Sequence, residues 1–371
     1  MGKESLGMIG EELSANGIKS IFMVTDQFIQ SVGLVNRVEE NLKNAGIVFS
    51  VFDGVQTDPT EEDILTAYKS FKKHNADAVL GLGGGSAIDT AKAVSVLARN
   101  TGLLWQYEGV EKITCQPLPV VAVPTTAGSG SEVTGACVIT VSGQRRKMLV
   151  YSQHLYPVLT VLDPVILATV PPRVAAATGM DALTHAIEAY VSLGASPITD
   201  VLALEAIKLI VTALPAFVAN SSNQVAAYSM QQASIMAAMA YQGHRLTTVH
   251  AMADVLSSHY NIPHGMANAV LLPHVMEYNL IGNLEKFTNI ARVMGVKAKA
   301  ASAYERARQA VFAVEELGQS IGILFNLRQI GVSEDTLPEM VDSMVQRGVD
   351  QYNPRRICAE DIMRILKSAM D

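Results

Sequence analysis

Short apolar runs alternate with amphipathic ones over residues 1 to about 163. KSIFMVTD (19–26) reads as a buried strand, and VNRVEENLKNAG as a helix that stops at Gly46. IVFSVFDG follows as a strand, then DPTEEDILTAYKSFKKHN as a helix entered through Asp58-Pro59, and ADAVLGLGGGS as a strand that breaks into glycines. This rhythm predicts a parallel sheet with helices on both faces. LPVVAVP, CVITV, KMLVYS and LTVLD complete the strand set, some of them antiparallel or hairpin-like. After Asp163-Pro164 the β-branched runs thin out, and Ala, Leu, Met and Ile recur at helical spacing to the end. ITDVLALEAIKLIVTALPAFVA and YSMQQASIMAAMAYQ read as long helices whose Met and Ala stripes are core packing. The pattern divides the chain into an α/β domain, 1–164, and an all-α domain, 165–371. No repeat, linker or low-complexity segment interrupts it.

Composition narrows the class. At 371 residues, 49% apolar and 17% charged, the chain can bury a large core, which excludes disorder. A net charge of −7 with no basic run argues against nucleic acid or an anionic membrane as partner. Cys115, Cys137 and Cys358 are scattered and form no CxxC, the usage of a reduced, cytoplasmic protein. The opening MGKESLGMIGEEL has no apolar core of a secretory leader. No apolar stretch of about 18 residues is evident, so no bilayer span is expected.

The chemistry gathers around GMDALTHAIEAY. Asp181 and His185 stand four apart in a run of helix formers and so share a helix face. Such a pair holds a divalent metal, or is a plain hydrogen-bonded Asp–His contact. Downstream, His250 in TVHAMAD and His264 in NIPHG complete an Asp/His/His/His set suited to Fe²⁺ or Zn²⁺. Cysteine is absent from it, which argues against a structural zinc finger. Gly83-Gly84-Gly85-Ser86 follows an apolar run and opens a helix, where bare backbone and unpaired N–H groups admit a phosphate. The same four residues also read as a simple glycine turn, and Ser86 with Asp89 fits a capping pair. This is not G-x-G-x-x-G, because Ser86 stands where the last glycine would be. Asp26, just after the first strand, is placed to accept from a ribose and to repel a 2′-phosphate, favouring NAD(H) over NADP(H). Alternatively it caps the following turn.

ATGMDALTHAIEAY, VHAMA, NIPHGMANAVLLPHVMEYN and GGGSAIDTAK together resemble the iron-containing (group III) alcohol dehydrogenase family, and the likeness runs on to NPRRICAEDIMRIL. The resemblance implies the dehydroquinate synthase-like fold, an N-terminal Rossmann-like α/β domain plus an all-α C-terminal domain. It also implies metal ligation by Asp181, His185, His250 and His264. The pyrophosphate of NAD(H) would then meet Gly84, Gly85, Ser86 and Asp89. PTTAGSGSEVT is otherwise only a polar glycine-rich loop, but it resembles the family's nicotinamide-side segment, carrying Thr125, Thr126, Ser129, Ser131 and Thr134. Lys147 matches a family lysine near the cofactor and otherwise reads as a surface charge. The implied reaction interconverts a small alcohol and its aldehyde by hydride transfer, with a metal as Lewis acid. A homodimer or larger assembly goes with it. Relatives usually carry a further strand ahead of the glycine matching Gly2.

The match breaks at GHRLTTVHAMADVLSSH, 243–259. Relatives usually have a second histidine four residues after the one matching His250, and this chain has Asp254. Asp254 shares a helix face with His250, yet a carboxylate cannot relay a proton as neutral imidazole does unless its pKa is raised. Upstream stand Gly243, His244 and Arg245, where the family commonly has small or amide side chains. Three readings follow. One is an ordinary alcohol/aldehyde oxidoreductase in which Asp254 and water handle the proton. Another is a reductase for a sulfonated or phosphonated aldehyde gripped by Arg245 and His244. The third is a protein that binds cofactor and metal but has lost turnover. Arg245 also reads as a helix-end charge, with Asp254 as its potential partner, and His244 and His259 as surface or polar-core histidines.

Overall fold

The structure, a computed structural model, describes residues 1–144, 146–241, 245–297, 302–348 and 351–371. It divides into two compact units: Met1–Val170 with Ser222–Gln231, and Pro171–Ser221 with Gln232–Asp371.

The first unit is built on strands β1 (Ser20–Val24), β2 (Val48–Phe52), β3 (Ala78–Gly83), β4 (Gly109–Val110), β5 (Val120–Pro124), β6 (Ala136–Val141), β7 (Arg146–Tyr151) and β8 (Leu159–Thr160). Five of them form a wholly parallel sheet in the order β2-β1-β3-β5-β8. Central β3 and β5 are buried throughout, as their unbroken apolar runs require, and β2 at the edge is only partly covered. Helices α1 (Ile9–Ala15), α2 (Gln27–Ser31), α3 (Leu34–Asn44), α4 (Glu61–Phe71) and α5 (Gly85–Arg99) belong to this unit. Leu13 of α1 and Val38 and Leu42 of α3 share one core with Leu80 and Val121. Phe71 of α4 and Ala87, Ala91 and Val94 of α5 share another with Phe22 and Val79. Strand neighbours alternate between these cores, as the period-2 pleat demands. A second sheet, β4-β7-β6, pairs β6 and β7 antiparallel, the hairpin that the sequence expected. Gly81 admits α5 against β3: a Cβ there would stand 2.8 Å from the Ile88 Cα.

The second unit is helical: α6 (Pro172–Val191), α7 (Pro197–Ala219), α9 (Thr248–Tyr260), α10 (His264–Asn279), α11 (Leu284–Val293), α12 (Ala303–Ser320), α13 (Leu337–Arg347) and α14 (Ala359–Ser368), while α8 (Gln224–Tyr241) precedes α9. Helix α6 is the central member, buried nearly all round. Two glycines let neighbours approach it: a Cβ on Gly179 would meet the Leu214 Cδ1 of α7 at 2.2 Å, and one on Gly265 would meet the Ala177 carbonyl oxygen at 2.6 Å. Helix α7 corrects one expectation. By length and composition it is apolar enough to cross a membrane, so a stretch of that kind does exist. In this structure it packs on α6, burying Ile207, Ile210, Leu214 and Phe217.

Candidate functional site

Helix α6 presents Asp181, His185 and Glu188 one turn apart, and all three are buried. Helix α9 begins at Thr248, and the Glu188 carboxylate caps its start. Oε1 accepts from Thr247 Oγ1 and from the Val249 N–H (2.7 Å), and Oε2 from the His250 N–H (3.3 Å). A carboxylate at a helix N-terminus is favoured by the unpaired N–H groups and the dipole there. Glu188 Oε2 also meets His250 Nδ1. After α9, Asn261 takes a left-handed conformation (φ 53°) and Ser257 Oγ donates to the Ile262 carbonyl at 2.7 Å. That short turn delivers His264 as the first residue of α10.

Three donors converge as a result. One ligand atom each from Asp181, His250 and His264 lies within 4.8 Å of the others. Asp181 Oδ1 is 3.6 Å from His250 Nε2 and 4.0 Å from His264 Nε2. Asn268, one turn along α10, donates from Nδ2 to Asp181 Oδ1 (2.7 Å) and meets His264 Nε2 at 3.0 Å. His250 Nε2 is buried with no hydrogen-bond partner among the described residues. With Nδ1 turned to Glu188, the lone pair on Nε2 faces the Asp181 carboxylate, and this donor set fits a divalent ion. His185, the fourth residue expected there, is not in the converging group. Its ring stacks on His250 (centroids 4.3 Å) and on Tyr241 (4.7 Å).

The electrostatics have the same sense. Burial alone would push the Asp181 carboxyl up, but the imidazoles of His185, His250 and His264 outweigh it and hold that group well below the usual carboxylate range. Burial likewise works to lower His250, while Glu188 and Asp181 more than offset it and lift the imidazole to about 9. Two carboxylates here favour positive charge, which a bound cation supplies in place of that proton.

Asp254, one turn beyond His250 on α9, is also buried. Its Oδ1 is 3.4 Å from His264 Nδ1, a charge contact longer than a good hydrogen bond, and its Oδ2 accepts from the Arg347 guanidinium. Arg245 is therefore not its partner. Arg245 Nη1 instead reaches the Gly194 carbonyl at 3.5 Å, and Ser192 Oγ donates to the Arg245 carbonyl at 3.0 Å. His259 Nδ1 meets the Val255 carbonyl oxygen at 3.0 Å, and its Nε2 is 3.6 Å from Glu339, so it is a polar-contact histidine. Gly243 and His244 lie outside the described residues.

The candidate cofactor residues belong to the first unit, and Asp26, Gly84, Gly85, Thr125 and Thr126 follow the carboxyl ends of the parallel strands β1, β3 and β5, where open α/β sheets take their ligands. Asp26 follows β1 and caps α2, its Oδ1 accepting from the Ile29 N–H at 2.9 Å. Gly84 caps α5 through its backbone, and Ser86 lies inside the helix. A Cβ on Gly84 would stand 3.3 Å from Thr126 Oγ1, and one on Gly85 2.8 Å from Ser129 Oγ, so the glycine turn and the 124–134 loop are closely apposed. The Thr125 N–H donates to the Gly83 carbonyl at 2.9 Å. Asp89 corrects two expectations. It makes no capping pair with Ser86, and it turns inward, accepting from Ser131 Oγ (2.5 Å) and the Val138 N–H (2.9 Å). Beside it the buried Lys92 donates to the carbonyls of Ser131 (2.6 Å), Thr134 (2.8 Å) and Ala136 (2.7 Å), which fixes the loop. Lys147 is not a surface charge: it is buried on β7 and pairs with Asp58 at 2.5 Å.

Comparison with known proteins agrees along the whole chain. The model described as iron-containing alcohol dehydrogenase matches residues 1–164, and the one described as the C-terminal part of the Fe-containing alcohol dehydrogenase family matches 175–370. The chain belongs to the iron-containing alcohol dehydrogenase family. Members are oxidoreductases that use NAD(H) and Fe²⁺. The chain is 40% identical to 1,3-propanediol dehydrogenase of Klebsiella pneumoniae, over 99% of this chain and 96% of that protein. It is 37% identical to the NAD-dependent methanol dehydrogenase of Bacillus methanolicus, over 100% and 97%. Among solved structures it resembles a 1,3-propanediol oxidoreductase (TM-score 0.96, 40% identity, 99% and 96% covered). It also resembles sulfoacetaldehyde reductase from Bifidobacterium kashiwanohense in complex with NAD⁺ (TM-score 0.89, 29% identity, 100% and 96% covered).

The sequence reading missed Glu188, Asn268 and Arg347. Glu188 had a signal, since it continues the Asp181, His185 helix face by three residues. Arg347 had none, because it pairs with Asp254 across 93 positions.

Proposed function

We propose that this chain is an NAD(H)- and divalent-metal-dependent oxidoreductase that interconverts a small primary alcohol and its aldehyde. One observation carries the reading: two buried donors, Asp181 and His250, converge with the half-buried His264, and the far nitrogen of each imidazole is turned to a carboxylate. Carboxylate-backed imidazoles are the ligands that bind metal tightly. When bound, the ion supplies a Lewis acid for a carbonyl or hydroxyl oxygen, and the nicotinamide supplies or takes the hydride.

The chain's own residues have distinct tasks. Glu188 fixes the tautomer and tilt of His250. Asp181 provides the anionic donor, and its hydrogen bond from Asn268 orients it. His185 is the fourth ligand in this reading, one turn from Asp181 on the same helix. Gly84, Gly85, Ser86 and the start of α5 take the pyrophosphate, with Asp89 holding the neighbouring loop from behind. Asp26 meets the adenosine ribose, while Thr125, Thr126, Ser129 and Thr134 line the nicotinamide side and Lys147 braces it. Asp254 stands beside the donors and acts on them. No protein nucleophile is required, and a homodimer or larger assembly accompanies the reading.

A sulfonated aldehyde is the second reading, favoured by the likeness to sulfoacetaldehyde reductase and by Arg245 near the start of α9. NADH oxidation decides between them: protein stripped of metal, then supplied with Fe²⁺ or Zn²⁺, is assayed with a neutral and a sulfonated small aldehyde. The proposal expects activity that depends on the returned metal and is higher with the neutral aldehyde. Faster turnover of the sulfonated one favours the second reading. Cofactor and metal binding without turnover of either would contradict both.

A further inference from the structure

Asp254 stands beside the metal donors, and its partner Arg347 has no place in the chemistry set out above. Helix α13 ends at Arg347, and Gly348 (φ 78°) closes it in a left-handed cap, which fixes where the arginine departs. Its guanidinium donates to Asp254 Oδ2, while Asp254 Oδ1 faces His264 Nδ1 at 3.4 Å. On the other side of the same ring, His264 Nε2 meets Asn268 Nδ2 at 3.0 Å, so that nitrogen carries the lone pair. The proton consequently sits on Nδ1, toward Asp254. The arrangement has the same sense as the one on His250, where Glu188 hydrogen-bonds Nδ1 and Nε2 faces Asp181, with a longer charge contact at His264 in place of that hydrogen bond.

Resting on the metal-site reading of Asp181, His250 and His264, we propose that Arg347 and Asp254 are positioning residues that hold His264 in its ligating tautomer and orientation, so that a residue at the end of α13 sets how tightly the site retains its metal. Glu188 is anchored by backbone N–H groups of α9. At Asp254 the Arg347 guanidinium supplies the equivalent restraint. A carboxylate committed to an arginine on one oxygen and to an imidazole on the other acts through His264.

The sign of one substitution separates positioning from bare charge. Arg347 is a cation near a cation site, so Coulomb repulsion alone predicts that Arg347→Met tightens metal binding. Positioning predicts the reverse, since Asp254 then loses its restraint and His264 its orientation. The measurement is Co²⁺ affinity of the full chain, by chelator competition and by the intensity of the cobalt ligand-field absorption. Asp254→Asn should weaken Co²⁺ about 10–100-fold, the range for partners that orient metal-bound histidines. Arg347→Met should weaken it by about ten-fold, and Arg347→Lys should recover most of the loss. The double variant should be no weaker than Asp254→Asn alone, because both changes act through one contact. Circular dichroism of the metal-free proteins verifies that each variant is folded. Tighter or unchanged Co²⁺ binding in Arg347→Met, with an unaltered absorption band, overturns the inference while leaving the metal site intact. A wild-type chain that binds no Co²⁺ overturns the metal-site reading itself.

Discussion

At the scale of single residues, the site is a set of imidazoles whose outer nitrogens are assigned by carboxylates. Glu188 is the most heavily engaged of these, with donors from Thr247, Val249 and His250 on one buried carboxylate. Glu188→Gln puts an amide N–H against groups that are themselves donors. It should cost about 1–3 kcal/mol of stability, by the usual penalty for an unsatisfied buried polar group. It should also weaken metal binding by about 10–100-fold. Urea denaturation of the metal-free protein and a metal titration read the two effects separately, and a variant unchanged in both would remove Glu188 from the site. Asp26 makes a different kind of prediction. One oxygen caps α2, which leaves the carboxylate at the end of β1 where a ribose is bound in sheets of this type. Asp26→Gly should narrow or reverse the preference for NADH over NADPH, because the repulsion of a 2′-phosphate goes. The ratio of kcat/KM for the two cofactors measures it, and a wild-type chain that favours NADPH contradicts the role of Asp26.

At the scale of elements, the spacing of α6 and α10 is set by a glycine. A Cβ on Gly265 would stand 2.6 Å from the Ala177 carbonyl oxygen, a backbone atom that cannot move aside. Gly265→Ala should therefore push the start of α10 outward and carry His264 with it. The expected result is a loss of about 1–3 kcal/mol, the ordinary cost of overpacking, together with weaker metal retention. Retained metal affinity in a destabilised variant would show that α10 can shift without moving His264. The loop between β5 and β6 has its own titration. Burial pushes the Glu132 carboxyl up to about 7, against the opposing pull of Lys92. Because the folded form holds its proton more tightly than the unfolded chain, this group favours folding at low pH. Its contribution is lost as pH rises from about 4.5 to about 7. At about 1.4 kcal/mol per pKa unit the span is on the order of 3 kcal/mol. Glu132→Gln should flatten the fall of melting temperature across that window and raise stability above it. A pH profile that is the same in both proteins would place the Glu132 titration elsewhere.

At the scale of the whole molecule, what the sequence made legible follows from how locally each feature is encoded. Runs such as AVLGLG and VVAVP are apolar on both faces, so they name buried parallel strands without outside help. Asp181, His250 and His264 stood out because their residue types are rare in apolar helices. Glycine contacts, the Asp254–Arg347 pair and the inward turn of Asp89 are decided by elements far apart in the chain, and no local pattern announces them. Helix α7 shows the converse, since an apolar composition alone does not separate a packed core helix from a bilayer span. The proposed function requires that Asp181, His250 and His264 hold a divalent metal for alcohol–aldehyde chemistry. Elemental analysis of anaerobically purified wild type and His264→Ala, both verified as folded by circular dichroism, tests it most directly. A single divalent ion per chain is expected in the wild type, and most of it is lost in the variant. Equal metal content in the two proteins would contradict it.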